Sequence, residues 1–159
     1  MGVSVEFSGP SLGESDVTRD GVYRMESIPK GPTELFATVD YQDDQHRMVS
    51  RPIEITDGQV ITVDFDIAES TGSVEGLVLP DAGDTGVMVV YAVIETLYGT
   101  DRVGILVNED GAFKVDHVAA GEGELEAMVV LRSGQMIQGT VPITVTDGES
   151  LQVDLNLRW

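Results

Sequence analysis

Two histidines, His46 and His117, are the side chains of this 159-residue chain best suited to moving protons near neutral pH. His46 lies in the polar run Asp43-Asp44-Gln45-His46-Arg47, which reads as a solvated loop. His117 follows Asp116 at a strand end, where the two could form an Asp–His pair. A hydrolytic triad also needs a nucleophile, and no Ser or Cys motif accompanies that pair. The carboxylate pairs Glu124/Glu126 and Asp64/Asp66 would serve glycoside chemistry only if held across a cleft, and spaced i,i+2 on a strand they share one wet face. Asp43-Asp44 and Asp81/Asp84 are acidic turns; nothing matches a calcium loop with its spaced carboxylates and closing Glu. Cysteine is absent, which removes disulfides, thiolate zinc sites and cysteine nucleophiles together. The expectation is therefore no catalytic residue, no metal site and no cofactor.

Charge narrows the partners. Nine Lys and Arg stand against 28 Asp and Glu, a net charge of -19. Nucleic acid binding draws on cations meeting phosphates, so nucleic acid and anionic membrane surfaces are poor partners for this chain. The acidity reads as solubility in a crowded or salty medium, with divalent cation binding as the alternative. A hydrophobic share of 42% suffices for a core. The longest apolar run, Val87 to Ile94, has strand length and falls well short of the roughly 18 residues a membrane helix needs, so no membrane insertion is expected. Met1-Gly2-Val3-Ser4 lacks the basic start and apolar centre of a secretory signal, which leaves a mature or excised segment, or a protein retained inside.

The elements that position these residues repeat. At an offset of 90 residues, Asp20-Gly21-Val22-Tyr23 matches Asp110-Gly111-Ala112-Phe113, and Pro52-Ile53-Glu54-Ile55-Thr56-Asp57-Gly58 matches Pro142-Ile143-Thr144-Val145-Thr146-Asp147-Gly148. No gap is needed between 18 and 67. Upstream, Gly2-Val3-Ser4-Val5-Glu6-Phe7 matches Gly86-Val87-Met88-Val89-Val90-Tyr91 at an offset of 84, the difference lying in the 94–107 loop. The segment Gly72-Ser73-Val74-Glu75-Gly76-Leu77-Val78-Leu79 reads as a strand and has no counterpart in the first copy. Ala68-Glu69-Ser70-Thr71 is the linker, giving domains at 1–69 and 70–159.

Each segment alternates with period two, the signature of a half-buried strand. Ile61, Val63, Phe65 and Ile67 alternate with Thr62, Asp64 and Asp66; Leu151, Val153, Leu155 and Leu157 alternate with Gln152, Asp154 and Asn156. Asp-Gly turns punctuate the strands. The fold class predicted is all-β, two tandem Ig-like or transthyretin-like antiparallel β-sandwiches, the first lacking its opening strand. Such a gap reflects excision from a longer chain of such modules, or leaves an open edge or groove for a strand donated by another subunit, since open edges recruit strands.

With its Gly-x-Val-x-Gly-x-Val segment at 72–78, Gly-Val-x-Val at 86–89, Asp-Gly-x-Phe at 110–113 and closing strand at 153–157, the second copy resembles the carboxypeptidase-regulatory-like module, a transthyretin-like (prealbumin-like) sandwich. It departs from that pattern at Ala119-Ala120-Gly121, where the family has Pro-x-Gly; the first copy has Ile28-Pro29-Lys30-Gly31. The resemblance implies an accessory module of secreted or surface proteins. Enzymes on related scaffolds are not matched. Hydroxyisourate hydrolases need several His and a C-terminal Tyr-Arg-Gly-Ser, whereas this chain ends Leu157-Arg158-Trp159. The Tyr and His iron set of intradiol dioxygenases is missing, and Lys30 and Lys114 do not lie in the opening strands where self-crosslinking sandwiches place their lysines.

One face departs from the alternation. Taking Val87, Val89 and Tyr91 as inward, Met88, Val90, Ala92 and Ile94 face out, joined by Met128 and Val130 from the 124–131 strand. Such a face either packs against the first copy or under the 94–107 loop, or forms a candidate apolar interface with another chain. The function expected is a non-catalytic extracellular or cell-surface structural module working through protein–protein contacts, with itself or with neighbouring domains of a longer chain, and self-assembling by strand donation. The alternative is a carbohydrate-binding accessory module of a secreted protein, with a polysaccharide stacking on Tyr98 and Trp159.

Overall fold

Alternating aliphatic and polar residues, cut by Asp-Gly turns, leave this chain one economical way to bury its apolar side chains: pleated strands in two layers. The structure, a computed structural model, describes residues 2–8, 13–16, 21–41, 45–65, 67, 71–80, 85–97 and 99–157. Twelve strands occur among them: β1 (Gly2–Ser8), β2 (Gly13–Asp16), β3 (Gly31–Asp40), β4 (His46–Ile55), β5 (Thr71–Pro80), β6 (Thr85–Thr96), β7 (Gly99–Leu106), β8 (Ala112–Ala119), β9 (Gly121–Leu131), β10 (Met136–Val145), β11 (Ser150–Gln152) and β12 (Leu155–Leu157). No helix is present among the described residues.

Eight strands form one continuous antiparallel sheet in the order β10-β9-β6-β7-β4-β3-β1-β2. The second copy supplies the first four strands and the first copy the last four, in matching order. The two copies thus share a sheet, joined where β4 pairs with β7.

The second layer is complete only in the second copy. There β5 is central, antiparallel to β8 on one side and parallel to β11 and β12 on the other. This sheet is mixed, which departs from the purely antiparallel sandwich expected. Val74 and Val78 point from β5 into a core with Phe113, Val115 and Val118 of β8, Leu155 and Leu157 of β12, and the inner faces of β6, β9 and β10. Gly76 lies so close to the last strands that a Cβ there would sit 1.8 Å from the Val153 carbonyl oxygen. Where β11 gives way to β12, the Asp154 carboxylate accepts from the Leu77 amide at 3.0 Å.

In the first copy the corresponding segments, 22–29 and 59–65, form no strand. The reason lies in the partner: they correspond to β8 and to β11 and β12, whose common partner is β5, and no strand among the described residues of the first copy takes that place. The gap is thus the middle of a sheet rather than its edge. Met25, Ile28 and Phe65 pack on Phe7, Leu35 and Val63 but stay only partly buried, whereas their counterparts Val115, Val118 and Leu155 are buried; Ile61 and its counterpart Leu151 are both partly buried. The backbone nevertheless keeps its shape. Asp116-His117 forms a bulge opposite Ser73, with His117 at φ 62°, and Ser27, 90 residues earlier, sits at φ 61°. Gly21 and Gly111 match as well, at φ 79° and 82°.

Candidate functional site

The most elaborate polar arrangement lies where the copies meet. Over His46–Ser50, β4 pairs with Thr100–Gly104 of β7. Beneath this ladder the Arg47 guanidinium forks onto Asp101: Nε donates to Oδ1 and Oδ2 at 3.1 and 3.0 Å, and Nη2 donates to Oδ2 at 2.6 Å. Nη1 donates to the Ile67 carbonyl at 2.7 Å, which ties in the end of the first copy. Both side chains are almost wholly buried, at 2% and 3% exposure. Burial pushes the Asp101 carboxyl up, and the bonds from Arg47 offset that only in part. For Arg47, burial works against the charge, but the Asp101 bonds, with Tyr41 beside them, outweigh it and raise its pKa. Next to the fork, the Gln45 side-chain oxygen accepts from the Asp116 amide at 2.7 Å, and Tyr41 stacks on His117 with centroids 4.0 Å apart and planes 7° from parallel.

Arg47 therefore belongs to a buried strand position and not to a solvated loop. Its counterpart in the second copy is Ile137, also buried. A charged residue at a position that is aliphatic in the sister copy was the available signal, but Asp101 lies 54 residues away and nothing local marks it as the partner. His46 is exposed, as its polar surroundings suggest, and pairs with Asp40 at 2.7 Å.

His117 and Asp116 do not form the Asp–His pair that their adjacency allows. Asp116 binds Lys114 at 2.8 Å, and the His117 ring is committed to Tyr41. Both line an open depression of about 310 Å³ with Thr71, Gly72, Ser73, Gly148 and Glu149. Ser73 and Glu149 are additions that the sequence did not single out. Among the described residues no hydrogen bond joins Ser73 to His117, so no nucleophile is activated there. No group of three or more His, Asp or Glu among the described residues is placed to hold a metal ion. Nor is any helix among them long and apolar enough to cross a membrane.

The expected apolar interface is corrected on β6. Met88, Val90, Ala92 and Ile94 point inward and are core residues, the last three at 0% exposure. Both faces of β6 are apolar, so alternation cannot choose between them, and a one-residue shift in register exchanges the faces. A bulge between Thr85 and Val87 sets that register against β9. The outward side at its far end is fixed by Tyr91, whose ring covers Gly104 and lies 4.0 Å beneath the Arg102 guanidinium. Arg102 in turn pairs with Glu126 at 2.9 Å. Met128 and Val130 do lie on the outer face, partly buried, beside Val87, Val89, Leu106 and Met136. On the outer face Met128 and Val130 therefore neighbour Val87, Val89, Leu106 and Met136, not Met88, Val90, Ala92 and Ile94.

Of the two aromatics assigned to glycan stacking, Tyr98 and Trp159 both lie outside the described residues. Tyr41 and Tyr91 each have a ring face already covered.

No protein-family profile matches the chain, and no curated protein matches it. Among solved structures it is similar to the TIE protein of Bacillus anthracis, at 14% identity over 98% of this chain with a TM-score of 0.36. It is similar also to GBS52, the minor pilin of Streptococcus agalactiae, at 13% identity over 98% of this chain and 82% of that one, TM-score 0.33. A third likeness is to BcpA, the major pilin subunit of Bacillus cereus, at 13% identity over 84% of this chain and 40% of that one, TM-score 0.34. The chain spans 30% of the length of the TIE protein. At these TM-scores the likenesses carry no argument, and the all-β, two-layer architecture rests on the chain's own ladders.

Proposed function

We infer that the chain is a rigid, non-catalytic structural module of an extracellular or cell-surface protein, working through protein–protein contacts. Within this reading the division falls at 69/70, and each copy is a carboxypeptidase-regulatory-like unit. The observation that carries it is the shared sheet: the β4–β7 ladder and the buried Arg47–Asp101 fork hold two sandwich units as one body. A body of this kind transmits orientation and load. The contact surfaces are the outer apolar face around Val87, Val89, Leu106, Met128, Val130 and Met136, and the incomplete second layer of the first copy. Polysaccharide binding gains no support from the described aromatics.

The test is whether the copies move together. NMR relaxation on the full chain is expected to give one rotational correlation time for amides in 31–55 and 121–145. Asp101→Asn leaves the Arg47 charge buried without its counter-ion, a change that costs about 3–5 kcal/mol where pairs of this kind are broken. It is expected to give the two copies different correlation times, or to unfold the first copy while the second persists. Independent tumbling of the copies in the unaltered chain would overturn the rigid-body reading.

A further inference from the structure

We propose that the second layer of the first copy is a slot for one β-strand supplied by another polypeptide segment. The segment is extended and mildly acidic, with aliphatic side chains at alternate positions and glycine between them. This deepens the reading above and rests on it for the claim that contacts between proteins are what the chain is for.

The occupant's chemistry is visible in the second copy, where β5 fills the equivalent place. The inward side of β5 reads Gly72, Val74, Gly76, Val78 and is buried throughout. Glu75 stands opposite Lys114 in register. Three groups from the flanking segments hold its backbone: the Gly111 carbonyl accepts from Val78 at 2.8 Å, the Val153 amide donates to Glu75 at 2.9 Å, and the Asp154 carboxylate accepts from Leu77. The first copy carries the same set 90 residues earlier, as Gly21, Val63 and Asp64, with Arg24 in place of Lys114. The left-handed backbone angle found at the β8 bulge is already present at Ser27. A surface that carries a strand's partners, with no strand among the described residues to meet them, is an acceptor.

The flanking cations are engaged locally: Arg24 pairs with Glu26 at 3.0 Å, as Lys114 pairs with Asp116 at 2.8 Å in the second copy, and Arg51 donates to the Asp64 carbonyl at 3.2 Å.

The slot has an internal occupant at its middle. Tyr23 corresponds to Phe113, which stands opposite Gly76 in the second copy. Its hydroxyl donates to the Val63 carbonyl at 2.6 Å, and its ring lies 6.3 Å from that of Phe65. The Val153 carbonyl, counterpart of Val63, is the atom that Gly76 approaches in the second copy. The hydroxyl therefore takes the place of the absent glycine, and an entering strand displaces it.

The test uses the full chain and a synthetic peptide with the sequence Thr71–Pro80, followed by amide hydrogen exchange. Bound peptide is expected to slow exchange at 22–29 and 60–67 by about tenfold or more, as a completed ladder does. Peptide carrying Val74→Asp and Val78→Asp should give no protection, and Tyr23→Phe should strengthen binding several-fold by removing the competing hydroxyl. A second form places residues 71–80 ahead of residue 2 on a flexible Gly/Ser linker, raising the effective concentration to about millimolar so that weak affinity does not hide the effect. If neither form protects 22–29 and 60–67, or if protection changes only within 112–157, the slot proposal is wrong. Either result leaves the shared correlation time of the two copies untouched, so the two readings fail separately.

Discussion

The second layers of the two copies are built from matching segments and differ in one strand. In the second copy, β8, β11 and β12 are strands, and the residues that β8 and β12 send inward are closed to solvent. In the first copy, 22–29 and 59–65 carry the same alternation, the same positive φ at Ser27 and the same turn glycine, yet no ladder forms. Local propensity and patterning are thus enough to shape and place these segments against the shared sheet. They are not enough to make a sheet, because each segment's backbone partner is β5 and not the other. Side chains can be half satisfied by packing on one layer; backbone donors and acceptors need a neighbouring strand.

This contrast can be broken most directly with a charge. Val118→Asp places a carboxylate at a wholly buried site in the complete layer and is expected to unfold the second copy, at a cost of about 4 kcal/mol or more. The matching change Ile28→Asp, at a half-buried site, should leave the first copy folded. Equal damage from the two, read by denaturant midpoints, would mean that the first layer is as closed as the second. A milder comparison removes volume. Leu155→Ala should cost about 2–5 kcal/mol, within the range for buried large-to-small changes. Phe65→Ala, though it removes a larger group, should cost less, because its surroundings are already partly open. The smallest effect sharpens the picture at one hydroxyl. Burial raises the Tyr23 pKa above its ordinary 10.0, Asp64 adding to the rise and Arg51 opposing it. Because the folded value lies above the unfolded one, the contribution to stability is complete below about pH 10 and is lost as pH climbs through the raised value. Absorbance titration should show one tyrosine ionising late, and Tyr23→Phe should remove that phase.

Most of the strand pattern is legible in the sequence because the copies check one another. Leu125, Ala127, Val129 and Leu131 are inward as their alternation with glutamates suggests, and the absent opening strand is visible as an unmatched segment. Three features are not legible, each for a physical reason. The faces of β6 cannot be told apart from Val87 to Ile94 because both are apolar, and the bulge that decides the matter is marked only by Gly86, which also reads as the start of a Gly-Val-x-Val strand. The central place of β5 depends on parallel pairing with β11 and β12, which joins the two ends of a copy and has no short-range signal. The Arg47–Asp101 fork needs two residues from different copies, each in a segment that reads differently alone: Arg47 in a polar run, Asp101 in a loop.

The shared sheet also has a direction. Its two outer strands, β2 and β10, are not alike, since β10 corresponds in the repeat to β4, the strand that grips the second copy. At the position of Arg47, however, β10 carries Ile137, turned into the core. A further unit arriving at that margin would find the same backbone and no guanidinium to fasten its carboxylate. The joint between the copies is therefore not repeated residue for residue at β10, and a unit docking there would need a different fastening.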